Sequence, residues 1–419
     1  MAKPSKIKLP VDKLLIGLMV DIELSWTKHP FLFSKFKIQS NSEIAIIKKL
    51  GLTEVTVFPD QSDIQAGDSV ERPSEVGEDE SDELTEVQWE SKNTKLEAAE
   101  KYRTKRRAVD KKYKDQAMAV RNLTKDLKSS PANAIRDAID LVDSMTGDFD
   151  NQNEVLTNLV NLGSGQHTLY NHSINVMVLS MSLANADGVK GNDFKLLARG
   201  ALLHDVGKIE IPGQVINKKT ALNKSEIEVF KQHAKLGRRL CELVDDPREE
   251  MLAVIELHHE YLDGTGYPNK YKAEKIPQFA RIVAIANTYD NLCNPPNASR
   301  AMTPKIALAT MYSKFKDKLD HALVQKFISI MGIYPPGSVV SLNDESLGVV
   351  VSVDPKAMMT PEVLVYNPDI PPNKALILNL TEHPDLKIVR VLKPNQCPKR
   401  VFNYLGIQER LGYMTSNRI

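Results

Sequence analysis

The sequence predicts a mainly α protein, with a central helical domain between a small α+β N-terminal domain and a small β-rich C-terminal region. Two observations predict the fold class. From residue 131 to 333, segment after segment carries apolar residues at helical spacing. Before residue 60 and after residue 334, short apolar runs alternate around turn residues. A third observation separates the first domain from the helices: residues 61–130 hold an acidic run followed by a basic one.

In chain order, KIKLPVDKL, GLMVDIEL, FSKFKIQS and LTEVTVF read as short strands, and SEIAIIKKLG as one helix closed by Gly51. Residues 60–90 carry twelve Asp/Glu against the single basic residue Arg72, and read as a solvated linker. Residues 92–128 carry thirteen Lys/Arg and five acids, and read as a long, mostly exposed helix. Ser130-Pro131 suits a helix start. DAIDLV, EVLTNLVNL, HSINVMVLSMSLAN, DFKLLARGALLHD, SEIEVFKQHAKLGRRLCELV, EMLAVIELHH, ARIVAIANTYDNL and PKIALATMYSKF then read as successive helices. After residue 334, YPPGSVVSLNDESLGVVVSVDP, EVLVY and ALILNL read as strands, with a short helix at VFNYLGIQERLG.

Composition narrows the function. Formal net charge is +1, so no global field favours DNA, RNA or a membrane surface. No run of about 18 apolar residues and no apolar signal core is present, so membrane insertion is not expected and the protein is placed in the cytoplasm. Cys241, Cys293 and Cys397 are far apart and form no C-x-x-C pair, which argues against disulfides and a cysteine metal site.

The chemistry is in the histidines. His172 shares a helical face with Val176, Leu179 and Leu183, and His204 follows Leu197 and Ala201, so both point inward. A lone inward histidine reads as a satisfied core residue. Five of them (His172, His204, His233, His258, His259) beside Asp205 read as a metal site, because unpartnered buried imidazoles are costly and a shared ion satisfies them together. Adjacent residues such as His204-Asp205 diverge by about 100° on a helix, which suits a cavity for two ions better than one for a single ion.

HDVGK at 204–208 resembles the HD superfamily of metal phosphohydrolases, and HHEYLDGTGYP at 258–268 resembles its HD-GYP branch, bacterial signalling enzymes that hydrolyse cyclic di-GMP and in some cases cyclic GMP-AMP. NKKTALNKSEIEVFKQHAKLG at 217–237 fits the family segment between metal motifs. LPVDKLLIGLMVDIELSWTKHPFLFSKFKI is similar to an uncharacterised domain that often precedes HD-GYP domains, and YPPGSVVSLNDESLGVVV to the tail that follows them. The resemblance implies an HD-type helical bundle at 131–333 holding two divalent ions such as Fe or Mn. His172 and His204 would hold one, His233, His258 and His259 the other, and Asp205 would bridge them. Lys208 would neutralise charge at the scissile phosphate. Asp263, Gly264, Gly266, Tyr267 and Pro268 would form the GYP loop and, with Lys218, contact substrate or a signalling partner. A homodimer is compatible with the reading.

Three positions depart from the family pattern. The last ligand, usually an aspartate twenty-eight residues after the second histidine of the pair, falls on Asn287; Asp290, three residues on, is the candidate to rescue it. Thr168 stands where some members have a glutamate for a third metal. NPPNASRAMTP at 294–304 replaces a basic Arg-Pro-Tyr segment. The leading expectation is a cyclic-dinucleotide phosphodiesterase. The alternative is an impaired receptor or scaffold that lost a metal through Asn287.

Overall fold

The alternating runs before residue 60 form a four-stranded antiparallel sheet from β1 (Ile7–Pro10), β2 (Met19–Asp21), β3 (Lys35–Lys37) and β4 (Glu54–Val57), ordered β1-β4-β2-β3. Helix α1 (Asn41–Lys49) packs on it. Ser40 caps α1 by accepting from the Glu43 amide, and Gly51 turns the chain away at φ +72°. Ile44, Ile46 and Ile47 bury their side chains against Leu18, Val20, Val55 and Val57. The computed structural model describes residues 6–64, 78–146, 155–160, 169–218, 220–354, 356–393, 396–407 and 412–417. The chain divides into two compact units, one of residues 1–103 with 367–377, the other of 104–366 with 378–419. In the first unit Ile370 and Leu376 pack with Leu32, Phe33 and Leu96.

The acidic run is not linker throughout. Helix α2 spans Glu78–Asp126, opening on Glu78, Asp79 and Glu80, the charge sign a helix N-terminus favours. Residues 65–77 lie outside the described residues. In the first unit the Lys92 side chain of α2 is buried and donates to the His29 carbonyl at 2.7 Å. In the second unit α2 buries Tyr113 and Val120.

The second unit is helical at its centre: α3 (Pro131–Thr146), a strand β5 (Val155–Val160), α4 (Leu169–Ala186), α5 (Gly191–Leu203), α6 (Gly213–Ile216), α7 (Lys224–Lys231), α8 (His233–Cys241), α9 (Glu249–Leu257), α10 (Gln278–Cys293), α11 (Pro304–Lys314) and α12 (His321–Met331). Helix α4 packs between α5 and α10, and α5 against α9. A five-stranded sheet follows, ordered β10-β6-β7-β8-β9, from β6 (Val339–Leu342), β7 (Leu347–Ser352), β8 (Glu362–Val365), β9 (Ile377–Asn379) and β10 (Ile388–Leu392). Then come α13 (Lys399–Leu405) and β11 (Gly412–Asn417).

Two expected helices differ. EVLTNLVNL contains β5, which pairs antiparallel with β11 from Val155↔Asn417 to Val160↔Gly412. A short apolar run is ambiguous by periodicity alone, and its partner lies at the far end of the chain. SEIEVFKQHAKLGRRLCELV breaks at Gln232 into α7 and α8. An Asn223–Glu226 capping box starts α7. Among the described residues no helix is long and apolar enough to cross a membrane.

Candidate metal centre

Three of the five histidines sit where a helix ends. His204 and His258 are the C-caps of α5 and α9, and His233 follows the last residue of the α7 turn, Gln232. Carbonyls in a last helical turn lack an intrahelical partner. Each imidazole supplies one: His204 Nδ1 donates to Ala201 O at 2.8 Å, His233 Nδ1 to Phe230 O at 2.7 Å, and His258 Nδ1 to Ile255 O at 2.8 Å. A ring that donates through Nδ1 keeps the lone pair on Nε2, which is the arrangement a metal-ligating histidine uses.

Those Nε2 atoms converge on Asp205, at the start of a 3-10 turn, Val206–Glu210. One carboxylate oxygen, Oδ2, lies 3.6 Å from His172 Nε2 and 3.4 Å from His204 Nε2. The other, Oδ1, lies 3.4 Å from His233 Nε2 and 3.8 Å from His258 Nε2. His259 joins the second set, with candidate ligand atoms all within 4.8 Å of one another. Asp205 thus belongs to two histidine groups, one through each oxygen.

Close packing sets this geometry. Gly207 has no room for a side chain: a Cβ there would stand 2.0 Å from His233 O and 2.3 Å from the Gly237 amide. The bare backbone lets the 3-10 turn press against α8 and brings His233 to Asp205. Gly266 does the same for the following loop, where a Cβ would fall 2.6 Å from His259 O. Gly266 therefore answers to close approach, and only Gly264, at φ +78°, to an unusual backbone angle. The Tyr267 ring stacks on His259 at 4.5 Å, and the Tyr267 amide donates to His259 O at 3.2 Å.

The cluster is buried and short of partners. Asp205 Oδ1, His233 Nε2 and His258 Nε2 have no hydrogen-bond partner among the described residues. Leaving such atoms unsatisfied is costly, and a divalent cation would satisfy all three, so the residues present fit a metal. Burial would raise the Asp205 carboxyl, but the Lys208 ammonium, hydrogen-bonded to Oδ2, and the nearby His204 and His233 hold it well below the usual carboxylate range. Burial pushes His233 down to about 4 and drives His258 and His259 well below the ordinary histidine range, so these rings are neutral, as ligands must be.

The remaining expected residues have partners of their own. Asn287 is buried, and its amide oxygen accepts from Asn291 at 2.6 Å. Asp290 stands behind His172: Oδ2 is 2.6 Å from His172 Nδ1, and Oδ1 accepts from Asn175 and Asn294, both at 2.8 Å. With both oxygens engaged there, it orients the ring of His172 from its far side. Lys218 is paired with Glu226 at 2.6 Å. Asp263 accepts from the Thr265 amide and hydroxyl, shaping the loop. Pro268 follows Tyr267 through a cis peptide. Thr168 lies outside the described residues. The sequence reading did not single out Glu260, which is buried and accepts from the Asn269 and Tyr271 amides at 2.6 and 3.1 Å, tying the loop to the histidine pair. A carboxylate directly after two ligand candidates was the available signal. It also passed over Asn175, one helical turn from His172.

Residues 154–323 match the model of the HD domain, and residues 6–138 that of a domain of unknown function, DUF3391. The chain is similar to the cyclic di-GMP phosphodiesterase PA4108 of Pseudomonas aeruginosa, 26% identical over 86% of this chain and 84% of that one. It is 37% identical to the cyclic di-GMP phosphodiesterase response regulator RpfG of Xanthomonas campestris pv. campestris, over 30% of this chain and 34% of the relative. It is 30% identical to 3'3'-cGAMP-specific phosphodiesterase 2 of Vibrio cholerae, over 29% of this chain and 23% of the relative.

Proposed function

We propose that this chain, which carries an HD domain behind a DUF3391 domain, is a metal-dependent phosphodiesterase that opens a cyclic dinucleotide to its linear form. The observation that carries the reading is Asp205, whose two oxygens face two separate histidine groups. His172 and His204 would hold one divalent ion and His233, His258 and His259 a second, with Asp205 between them. Imidazole and carboxylate ligands suit Fe or Mn.

Bound ions of this kind supply Lewis acidity toward a phosphoryl oxygen and a more acidic water. The chain's own groups do the rest. Asp205 stays ionised beside Lys208, so the cluster keeps an anion that divalent ions would share. Lys208, 18% exposed at its side chain where Asp205 is 2%, lies at the accessible edge of the cluster and would neutralise charge developing on a phosphate. The helix-capping bonds hold three Nε2 lone pairs on Asp205 before any ion arrives, which lowers the reorganisation needed on binding. Tyr267 covers His259 and limits water on that side.

Cyclic di-GMP is the substrate proposed first, because the relative aligned over most of both chains is named for it. Cyclic GMP-AMP is the second reading, favoured by similarity to the cGAMP-specific relative. The test offers both compounds to the full chain loaded with Mn²⁺ or Fe²⁺, with His204→Ala as blank and metal content measured in parallel. Linear product absent from the blank is expected, and the faster-falling compound names the substrate. Full metal loading with no product from either compound would sink the proposal. Activity gained only by Asn287→Asp would leave the chain as an impaired receptor.

A further inference from the structure

A half-open cavity of about 280 Å³ lies in the second unit where the start of α11 meets the edge strand β10. No residue of the histidine cluster lines it. Three cations do: Lys305, Arg390 and Lys393. None of the lining residues is acidic, and none of these three side chains forms an ion pair with the described residues. All three residues are exposed, and three like charges around one pocket favour an anion among them.

Local structure points the same way. Lys305 is in the first turn of α11, where a cation opposes the helix dipole, and no acid stands in that turn to offset it. Its ammonium lies 4.6 Å from the centre of the Tyr334 ring, which also lines the cavity. On the other wall, the register of β10 against β6 shifts between Ile388 and Arg390, a bulge at Val389 in an edge strand. Bulges at sheet edges re-aim side chains, and here Val389, Arg390 and Val391 all line the cavity. Val389 and Ile306, 62% and 48% exposed, give it an apolar rim.

We propose that this cavity binds a small phosphate-bearing ligand, with the phosphate among Lys305, Arg390 and Lys393 and any apolar body against Ile306 and Val389. Its volume is just under the roughly 300–1,000 Å³ of ordinary ligand pockets, which suits a mononucleotide or a smaller anion. The site is independent of the reading of the metal centre. Its ligand would join the start of α11 to the terminal sheet.

The test is calorimetric titration of the full chain with GMP, inorganic pyrophosphate and guanosine, at two salt concentrations. The wild type and His204→Ala should bind GMP or pyrophosphate alike, more weakly at higher salt, and guanosine should not bind. Lys305→Glu and Arg390→Glu should each weaken binding about tenfold or more; the Lys305→Ala/Arg390→Ala double variant, with its fold checked by circular dichroism, controls for charge reversal. GMP bound in preference to pyrophosphate identifies a nucleotide site, and equal binding a phosphate site. The proposal is overturned by absence of binding, by binding unchanged in these variants, by loss in His204→Ala, or by guanosine binding as tightly as GMP.

Discussion

At the scale of single residues, the centre depends on which nitrogen of each ring is free. His172 differs from its neighbours in leaning on a side chain, Asp290, where His204, His233 and His258 lean on backbone. Asp290→Asn keeps the shape but removes the charge that orients and enriches the His172 ring. Metal affinity should fall about 10–100-fold, read by Mn²⁺ titration, while a variant that binds as tightly as wild type would remove Asp290 from the site. His204, Asp205, Lys208, His258 and His259 were legible as candidates in HDVGK and HHEYLDGTGYP, and His172 and His233, outside both motifs, by their spacing from them. The partner of His172 was not, because Asp290 meets it only through the packing of α4 on α10. Spacing put Asp290 near the site and could not say on which side of the ring it stands.

At the scale of elements, the glycines of the two motifs matter as contacts. Gly207→Ala would force a methyl onto the backbone of α8, 2.0 Å from His233 O. Overpacking of this kind costs about 1–3 kcal/mol. The expected result is a lower melting temperature together with weaker metal binding; Gly213→Ala, with only the Asn217 side chain nearby at 3.5 Å, should be close to neutral. Equal behaviour of the two would remove the packing argument. Helix positions were readable because long amphipathic periods are hard to mistake. The failures were local competition: β5 is too short for its period to decide, and the break at Gln232 comes from the chain turning so that His233 reaches both Phe230 O and Asp205.

At the scale of the whole molecule, burial of neutral histidines ties stability to pH. Burial, with the nearby Lys92 charge, holds His29 at about 4, and burial holds His233 at about 4 in the metal-free chain. Between the ordinary value of about 6.5 and about 4, the unfolded chain binds more protons than the folded one. Stability should therefore be full above about pH 6.5 and fall as pH drops toward 4. Denaturant midpoints of the chelated protein measure this, and His29→Gln should flatten the curve; a midpoint independent of pH over that window would refute it. The fold class was legible at this scale. The placing of residues 367–377 in the first unit was not, since Ile370 and Leu376 find Leu32, Phe33 and Leu96 only in three dimensions.

The helix-end histidines have one more consequence. An imidazole that both closes a helix and offers its lone pair to a cation couples fraying of that helix to occupancy of the site: whatever free energy the ion contributes is shared by the final turns of α5, α7 and α9. Amide deuterium uptake there should slow when Mn²⁺ is added, and uptake in α1 should not change. The histidine cluster would then act as a clasp, and chelation would loosen three helix ends at once.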